Sequence, residues 1–222
     1  MEKFLTTYYA DISQFINDPS LIAARLGEVD EGRRDRIARA RFDDTKAEIL
    51  CGGLMIKKAL FDACGIADPV IMKNEFGKPY LSDRHDVFFN ISHSGSVVLC
   101  SVSDVECGVD VEDLSAEHPI MELSSRFLSD LESAAVMMSA DPNRAFCRLW
   151  TLRESYVKMR GRGFDIGLST LKCDFHRGAA SISENGVVQS DAHFRELYGI
   201  IGYQASVCTA EERENRVKKI EL

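Results

Sequence analysis

The chain has 222 residues, 45% of them hydrophobic and 28% charged, with a formal net charge of −8. That is enough apolar side chain for one large core or two small ones and too much for a disordered chain, while the acidic balance excludes broad nucleic-acid binding. No apolar run reaches the roughly 20 residues of a membrane span, and the N-terminal Met1-Glu2-Lys3-Phe4-Leu5 lacks the long apolar stretch of a secretory signal.

Residues 3–12 are rich in aromatic and β-branched side chains and predict a strand. Asp18-Pro19 then opens a helical stretch. Helices follow over residues 28–41 and 44–63; the second has apolar residues at 47, 50, 51, 54 and 55, close to a 3.6 period. Its Gly52-Gly53 pair costs about 1 kcal/mol per glycine relative to alanine, which points to close backbone packing there. Arg33, Arg34, Arg36, Arg39 and Arg41, with Lys46 beyond, form a local basic patch. Such a patch suits a compact anion or an acidic partner, or equally a solvated helix face with mixed ion pairs.

Short strands over 69–73 and 87–92 flank a Gly77-Lys78-Pro79 turn. A buried strand over 97–102 comes next, then a turn bounded by Ser103-Asp104 and Cys107-Gly108, then a half-buried strand over 109–112. Ser129-Asp130-Leu131-Glu132 is a capping box opening a helix. Asp141-Pro142 opens another, which runs to Arg160 and stops at Gly161-Arg162-Gly163. From Leu168 the pattern is strands over 169–175, 179–183, 193–198 and 203–208. Strand, helices, strands thus occurs twice, with a seam near 103–108. The order predicts an α+β fold divided into residues 1–104 and 105–222.

Seven cysteines, at 51, 64, 100, 107, 147, 173 and 208, include no CxxC pair. An odd count without metal spacing excludes a zinc cluster or disulfide framework and fits a reducing cytoplasm. Several lie in apolar runs and read as small buried hydrophobes.

Four segments carry candidate chemistry. Asp110 and Glu112, two apart on a strand, share one face while Val109 and Val111 take the other. Two carboxylates side by side repel, and a hard cation such as Mg2+ or Mn2+ removes that penalty; an isolated D-x-E is more often an exposed strand face. In Trp150-Thr151-Leu152-Arg153-Glu154-Ser155-Tyr156-Val157-Lys158, helical spacing puts Trp150, Glu154 and Lys158 along one face. Glu154 and Lys158 there are either a surface ion pair or a metal ligand beside a phosphate partner. Phe88-Phe89-Asn90-Ile91-Ser92-His93-Ser94-Gly95 alternates into a polar, glycine-ended turn whose donors suit phosphate oxygens. Asn74-Glu75-Phe76-Gly77-Lys78-Pro79 reads as a hairpin turn.

Taken in order, G-K-P, F-N-I-S-H-S, G-V-D-V-E, R-F-L-S-x-x-E and W-T-L-R-E-S-Y-V-K resemble the motifs of the 4'-phosphopantetheinyl transferases of the surfactin-synthetase-activating (Sfp) type, holo-[carrier protein] synthases. The motifs span residues 77–158. The resemblance implies an α+β fold of two similar halves with the active site between them. It implies Mg2+-dependent transfer of the phosphopantetheine arm from coenzyme A to a serine of an apo acyl or peptidyl carrier protein, releasing 3',5'-ADP. By the same resemblance Asp110, Glu112 and Glu154 match the metal residues, and Glu154 and Lys158 the catalytic ones. Ser92, His93, Asp110 and Lys158 match the coenzyme A phosphate and diphosphate contacts, and Lys78-Pro79 the segment beside the adenosine. The expected enzyme is a cytoplasmic monomer that binds neither nucleic acid nor membrane. The segment 113–128, with Ile120, Met121, Phe127 and Leu128, is the candidate carrier surface or, equally, a buried helix face.

Two positions depart from the family pattern. Arg153 replaces a lysine in W-x-x-K-E, and Glu48 stands where members often carry an arginine for the 3'-phosphate. The rival readings are another metal-dependent nucleotide phosphotransferase or phosphohydrolase, which would turn over without a carrier, and a non-catalytic coenzyme A-binding module.

Overall fold

The strand read near the N-terminus is β1 (Leu5–Asp11), in a computed structural model that describes residues 3–222. Met1 and Glu2, part of the stretch read above for a signal, lie outside the described residues. Four helices follow: α1 (Ser13–Asn17), α2 (Pro19–Arg25), α3 (Glu31–Arg39) and α4 (Asp43–Cys64). Asp18 caps α2 by accepting from the Ser20 amide, with Pro19 in the first turn, as the sequence predicts.

Next come β2 (Ile71–Lys73), β3 (Pro79–Leu81), β4 (Phe88–Ser94), β5 (Val97–Ser103) and β6 (Cys107–Asp113). Three more helices are α5 (Ile120–Phe127), α6 (Asp130–Met137) and α7 (Pro142–Arg160). The chain closes with β7 (Leu171–His176), β8 (Ala179–Glu184), β9 (Val187–Val188), β10 (His193–Glu196), β11 (Tyr203–Thr209) and β12 (Asn215–Lys219).

Two sheets carry the architecture, in strand orders β12-β1-β5-β4 and β10-β11-β6. α4 packs on the first and α7 on the second. Alternation along β5 serves two cores at once. Val98, Cys100 and Val102 join Tyr8 and the α4 residues Leu50, Met55, Ile56 and Leu60. Val97 and Leu99 face the other way and pack with Val109, Val111, Ala205 and Val207, a core shared by both sheets. A further core joins Leu152, Tyr156 and Met159 of α7 to Leu171, Phe194 and Cys208. All seven cysteines are free thiols.

Local readings differ from the structure in four places. The strand at 69–73 does not face that at 87–92; β2 instead pairs with β3, on the far side of the Gly77 turn. Three residues were too few to register as a period. Cys107-Gly108 belongs to β6 rather than to a turn, and β6 is covered on both faces instead of half-exposed. Ser92, His93 and Ser94 are strand residues, the turn starting only at Gly95. The short strands β9 and β12 carried no pattern of their own; β12 lies parallel to β1 and covers its edge.

Candidate active site

β4 and β6 are the facing edges of the two sheets. Side chains, rather than a backbone ladder, join them. Asn90, Ser92 and Ser94 share one face of β4 by period-two spacing. Asn90 Oδ1 accepts from the Val109 amide at 2.9 Å, Ser94 Oγ accepts from the Asp113 amide at 3.0 Å, and Ser92 Oγ donates to Asp110 Oδ1 at 2.9 Å. The motif F-N-I-S-H-S is therefore a row of rivets along this seam as well as a source of donors.

α7 crosses the same seam at close range, and a glycine permits it. A Cβ on Gly108 would stand 2.1 Å from the Ser155 carbonyl oxygen and 2.2 Å from the Met159 amide nitrogen. These are backbone atoms of the helix and cannot swing aside. Sequence reading took Gly108 for a turn residue and missed this role; the signal available was a glycine directly before an alternating strand. The close approach brings Lys158 Nζ to 2.6 Å from Asp110 Oδ1 and 2.9 Å from Ser92 Oγ. Glu154, one turn earlier, borders the same space.

The result is a cavity of about 880 Å3 holding Asp110, Glu112, Glu154 and Lys158, with Ser92 and His93 at its β4 wall. Arg126, Phe127 and Trp150 form another wall. Phe127 meets Trp150 edge-on with centroids 5.4 Å apart, and the Arg126 guanidinium lies over the Phe127 ring at 5.0 Å. A larger cleft of about 1040 Å3 lies between α6, the start of α7 and the β7–β8 hairpin, and includes none of these carboxylates.

Crowded carboxylates disturb one another here. Burial, then the neighbouring Asp110 charge, pushes Glu112 up to about 7, with Glu154 adding to it and Lys158 opposing. Burial and Asp110 raise Glu154 as well, again against Lys158. Asp110 Oδ2 is buried without a hydrogen-bond partner. Among the described residues no three His, Cys, Asp or Glu side chains stand in metal-holding geometry; the Lys158 ammonium is the cation at Asp110. The donor set nevertheless fits a hard divalent cation: three carboxylates on two rigid elements, one with an orphaned oxygen, in a site where added positive charge relieves repulsion.

The other predicted residues separate. Ser92 is buried within the cluster, whereas His93, next in the strand and so on its opposite face, is 48% exposed, with Nδ1 3.5 Å from Glu48 Oε1. Lys78 and Pro79 line an adjoining cavity of about 250 Å3, which Glu154 and Lys158 also border. The Lys78 ammonium itself turns to Glu106 and the Met159 carbonyl oxygen. In the basic patch, Arg33 packs on Gly53 and donates to the Ile49 carbonyl at 3.1 Å, and Arg34 donates to that of Val29 at 2.6 Å; Arg36, Arg39 and Arg41 are exposed. Of the segment read as a carrier surface, Met121 is 77% exposed, Ile120 and Phe127 are partly buried and Leu128 is buried.

A family model described as the 4'-phosphopantetheinyl transferase superfamily matches residues 106–214, and one described as 4'-phosphopantetheinyl transferase, N-terminal, matches 19–104. The 4'-phosphopantetheinyl transferase gsp of Aneurinibacillus migulanus is 31% identical over 165 residues, covering 72% of this chain and 67% of its own. This chain belongs to the 4'-phosphopantetheinyl transferase superfamily. The transferase Sfp of Bacillus subtilis (strain 168) is 26% identical over 183 residues, 80% of either chain.

Within this superfamily member, Arg153 sits apart from the cavity. Its side chain is fully buried, donates to Glu132 Oε1 at 2.6 Å and to the Leu171 carbonyl at 3.1 Å, and so ties α7 to α6 and β7. Burial pushes the Glu132 carboxyl up, but the Arg153 charge and the Ser129 and Cys173 amides outweigh it and hold the group below its ordinary value. The same Glu132 closes the capping box with Ser129. The two motifs R-F-L-S-x-x-E and W-T-L-R-E are thus halves of one buried ion pair.

Proposed function

We propose that this transferase moves the 4'-phosphopantetheine arm of coenzyme A onto a serine hydroxyl of an apo acyl or peptidyl carrier protein, uses Mg2+ or Mn2+, and releases 3',5'-ADP. The observation that carries the reading is the single cavity shared by Asp110, Glu112, Glu154 and Lys158 at the junction of β6 and α7. Asp110, Glu112 and Glu154 would hold the metal, which when bound supplies positive charge to the diphosphate oxygens.

The residues of the chain account for the rest. The serine oxygen attacks the phosphorus bearing the pantetheine arm. The bond from that phosphorus to the bridging oxygen breaks, and 3',5'-ADP leaves with the electron pair. Glu154, its carboxyl raised above the ordinary value by burial and the Asp110 charge, takes the serine proton directly or through water. Lys158 stabilises the leaving oxygen by charge and hydrogen bonding. Ser92 and His93 border the phosphates, and Lys78-Pro79 flank the adenosine. The carrier approaches over α5, whose Met121 is exposed and whose Phe127 lines the cavity.

We further read residues 1–104 and 105–222 as two halves, supported by family matches that stop at 104 and resume at 106. We read the chain as a cytoplasmic monomer: two linked halves in one chain suit a monomer, and an odd cysteine count without metal spacing suits a reducing compartment. No helix among the described residues is long and apolar enough to cross a membrane. The test is incubation with coenzyme A, Mg2+ and a panel of apo carrier domains, followed by mass spectrometry of the carrier. A metal-dependent gain of one phosphopantetheine arm is expected. Turnover of coenzyme A without any carrier gain overturns the reading, and an undiminished rate in a metal-binding Glu154→Gln variant removes Glu154 as base.

A further inference from the structure

The hairpin β2–β3 belongs to the first half of the chain, yet its turn is bonded to the end of α7. Asn74 Oδ1 accepts from the amides of Phe76 and Lys78 at 3.0 and 2.9 Å, fixing the turn, while its Nδ2 donates to the Gly161 carbonyl at 2.8 Å. Lys78 Nζ donates to the Met159 carbonyl at 2.8 Å and pairs with Glu106. The last carbonyls of a helix have no partner within it and carry its negative dipole end, so a lysine is well placed to satisfy them. The Lys78 side chain is only 13% exposed, against 47% for Glu106. Its stem lies close on Gly161, where an added Cβ would stand 2.7 Å from Lys78 Cδ.

The positions of its partners give this clasp its significance. Glu106 immediately precedes β6 and stands four residues before Asp110. Met159 immediately follows Lys158 on α7. One ammonium therefore binds α7 and the residue that leads into β6, the two elements that supply the Asp110–Lys158 pair. Glu106 lines neither cavity that holds Glu154 and Lys158.

We infer that Lys78, with Asn74 and Glu106, is a positioning device that sets α7 against β6 and so places Lys158 and Glu154 for transfer, rather than a charge that grips coenzyme A. The inference rests on the transferase reading above and deepens it. It predicts that the ammonium acts through Glu106 and Met159, so its loss lowers turnover and leaves coenzyme A affinity nearly alone.

The experiment compares wild type, Lys78→Met, Glu106→Ala and the double variant, with coenzyme A, Mg2+ and the apo carrier domain that the wild-type chain modifies fastest. Lys78→Met is expected to lower kcat about tenfold or more with the coenzyme A KM held within about threefold. Glu106→Ala is expected to lower kcat in the same sense, and the double variant to be no worse than Lys78→Met alone, the non-additivity of a shared contact. A KM for coenzyme A raised about tenfold in Lys78→Met with kcat kept, and a neutral Glu106→Ala, would make Lys78 a direct ligand and overturn the inference. Wild-type kcat in both single variants overturns it too. Should Lys78→Met fail to fold by circular dichroism, the exposed Glu106→Ala decides alone, through kcat against KM. A wild-type chain that modifies no carrier in the panel rejects the parent reading instead, which keeps the two failures apart.

Discussion

α4 and α7 are the two long helices, each laid on a sheet and each ended by a left-handed glycine, Gly65 and Gly161. They achieve close packing by opposite devices. In α4 the small residue is on the helix and faces α3 and the residues before it rather than the sheet: a Cβ on Gly53 would meet Arg33 Cδ at 2.7 Å and Val29 Cγ1 at 2.9 Å, both side-chain atoms. At α7 the small residue is on the strand, and Gly108 faces helix backbone. Side chains can rearrange and a helix backbone cannot, so the second contact tolerates much less. The two helices also differ in what they bury. α4 buries an apolar set, whereas α7 buries Arg153 and turns Glu154 and Lys158 toward a cavity. The site forms where charge is brought inside and held by rigid contacts.

The largest effect expected from this difference is on the buried ion pair. Arg153→Met leaves the Glu132 carboxylate buried without its cation and should cost about 3–5 kcal/mol, read as a lower urea midpoint. Glu132→Gln in the same background should recover part of that loss by removing the stranded charge. Gly108→Ala comes next. Overpacking against helix backbone should cost about 1–3 kcal/mol, and the displaced α7 should reduce carrier modification about 100-fold, measured as rate in protein that circular dichroism shows to be folded.

A smaller effect follows from the carboxylates. The Glu112 carboxyl moves from 4.5 to about 7 in the folded chain. The native state then holds an extra proton between those values, and stability without divalent cation falls as pH rises through that window and levels off above it. Glu154 shifts in the same direction and adds to the fall. Thermal melts from pH 4 to 8 should show this slope, flattened by Glu112→Gln and by added Mg2+ at the upper end. The smallest change is expected at Gly53→Ala. The helix gains about 1 kcal/mol of propensity, which the shift demanded of Arg33 offsets. A melting point lowered as far as by Gly108→Ala would break the contrast between the two helices.

Much of the scaffold was legible because its signals are local. The capping box at Ser129–Glu132, Asp18-Pro19, and the run from Pro142 to the Gly161 stop each depend on neighbours within a few residues. Alternation at 109–112 correctly put Val109 and Val111 into a core. What escaped depends on distant partners. Lys78 read only as part of a hairpin turn because Met159 and Glu106 are far along the chain. Arg153 read as a substituted site lysine because nothing in W-T-L-R-E names Glu132. His93 and Ser92, adjacent in the motif, both line the cavity, but only Ser92 is buried, a difference that strand alternation makes and the motif does not state.

By itself the sequence determined that Asp110 and Glu112 share a strand face and that Glu154 and Lys158 share a helix face, since residue spacing within one element fixes direction. Whether the two faces meet lay beyond it. The tertiary structure decided that, through a glycine that lets α7 settle on β6 and through the rivets from Asn90, Ser92 and Ser94 that hold β6 to β4. Contact between elements is set by packing, and packing depends on atoms that sequence separation does not order.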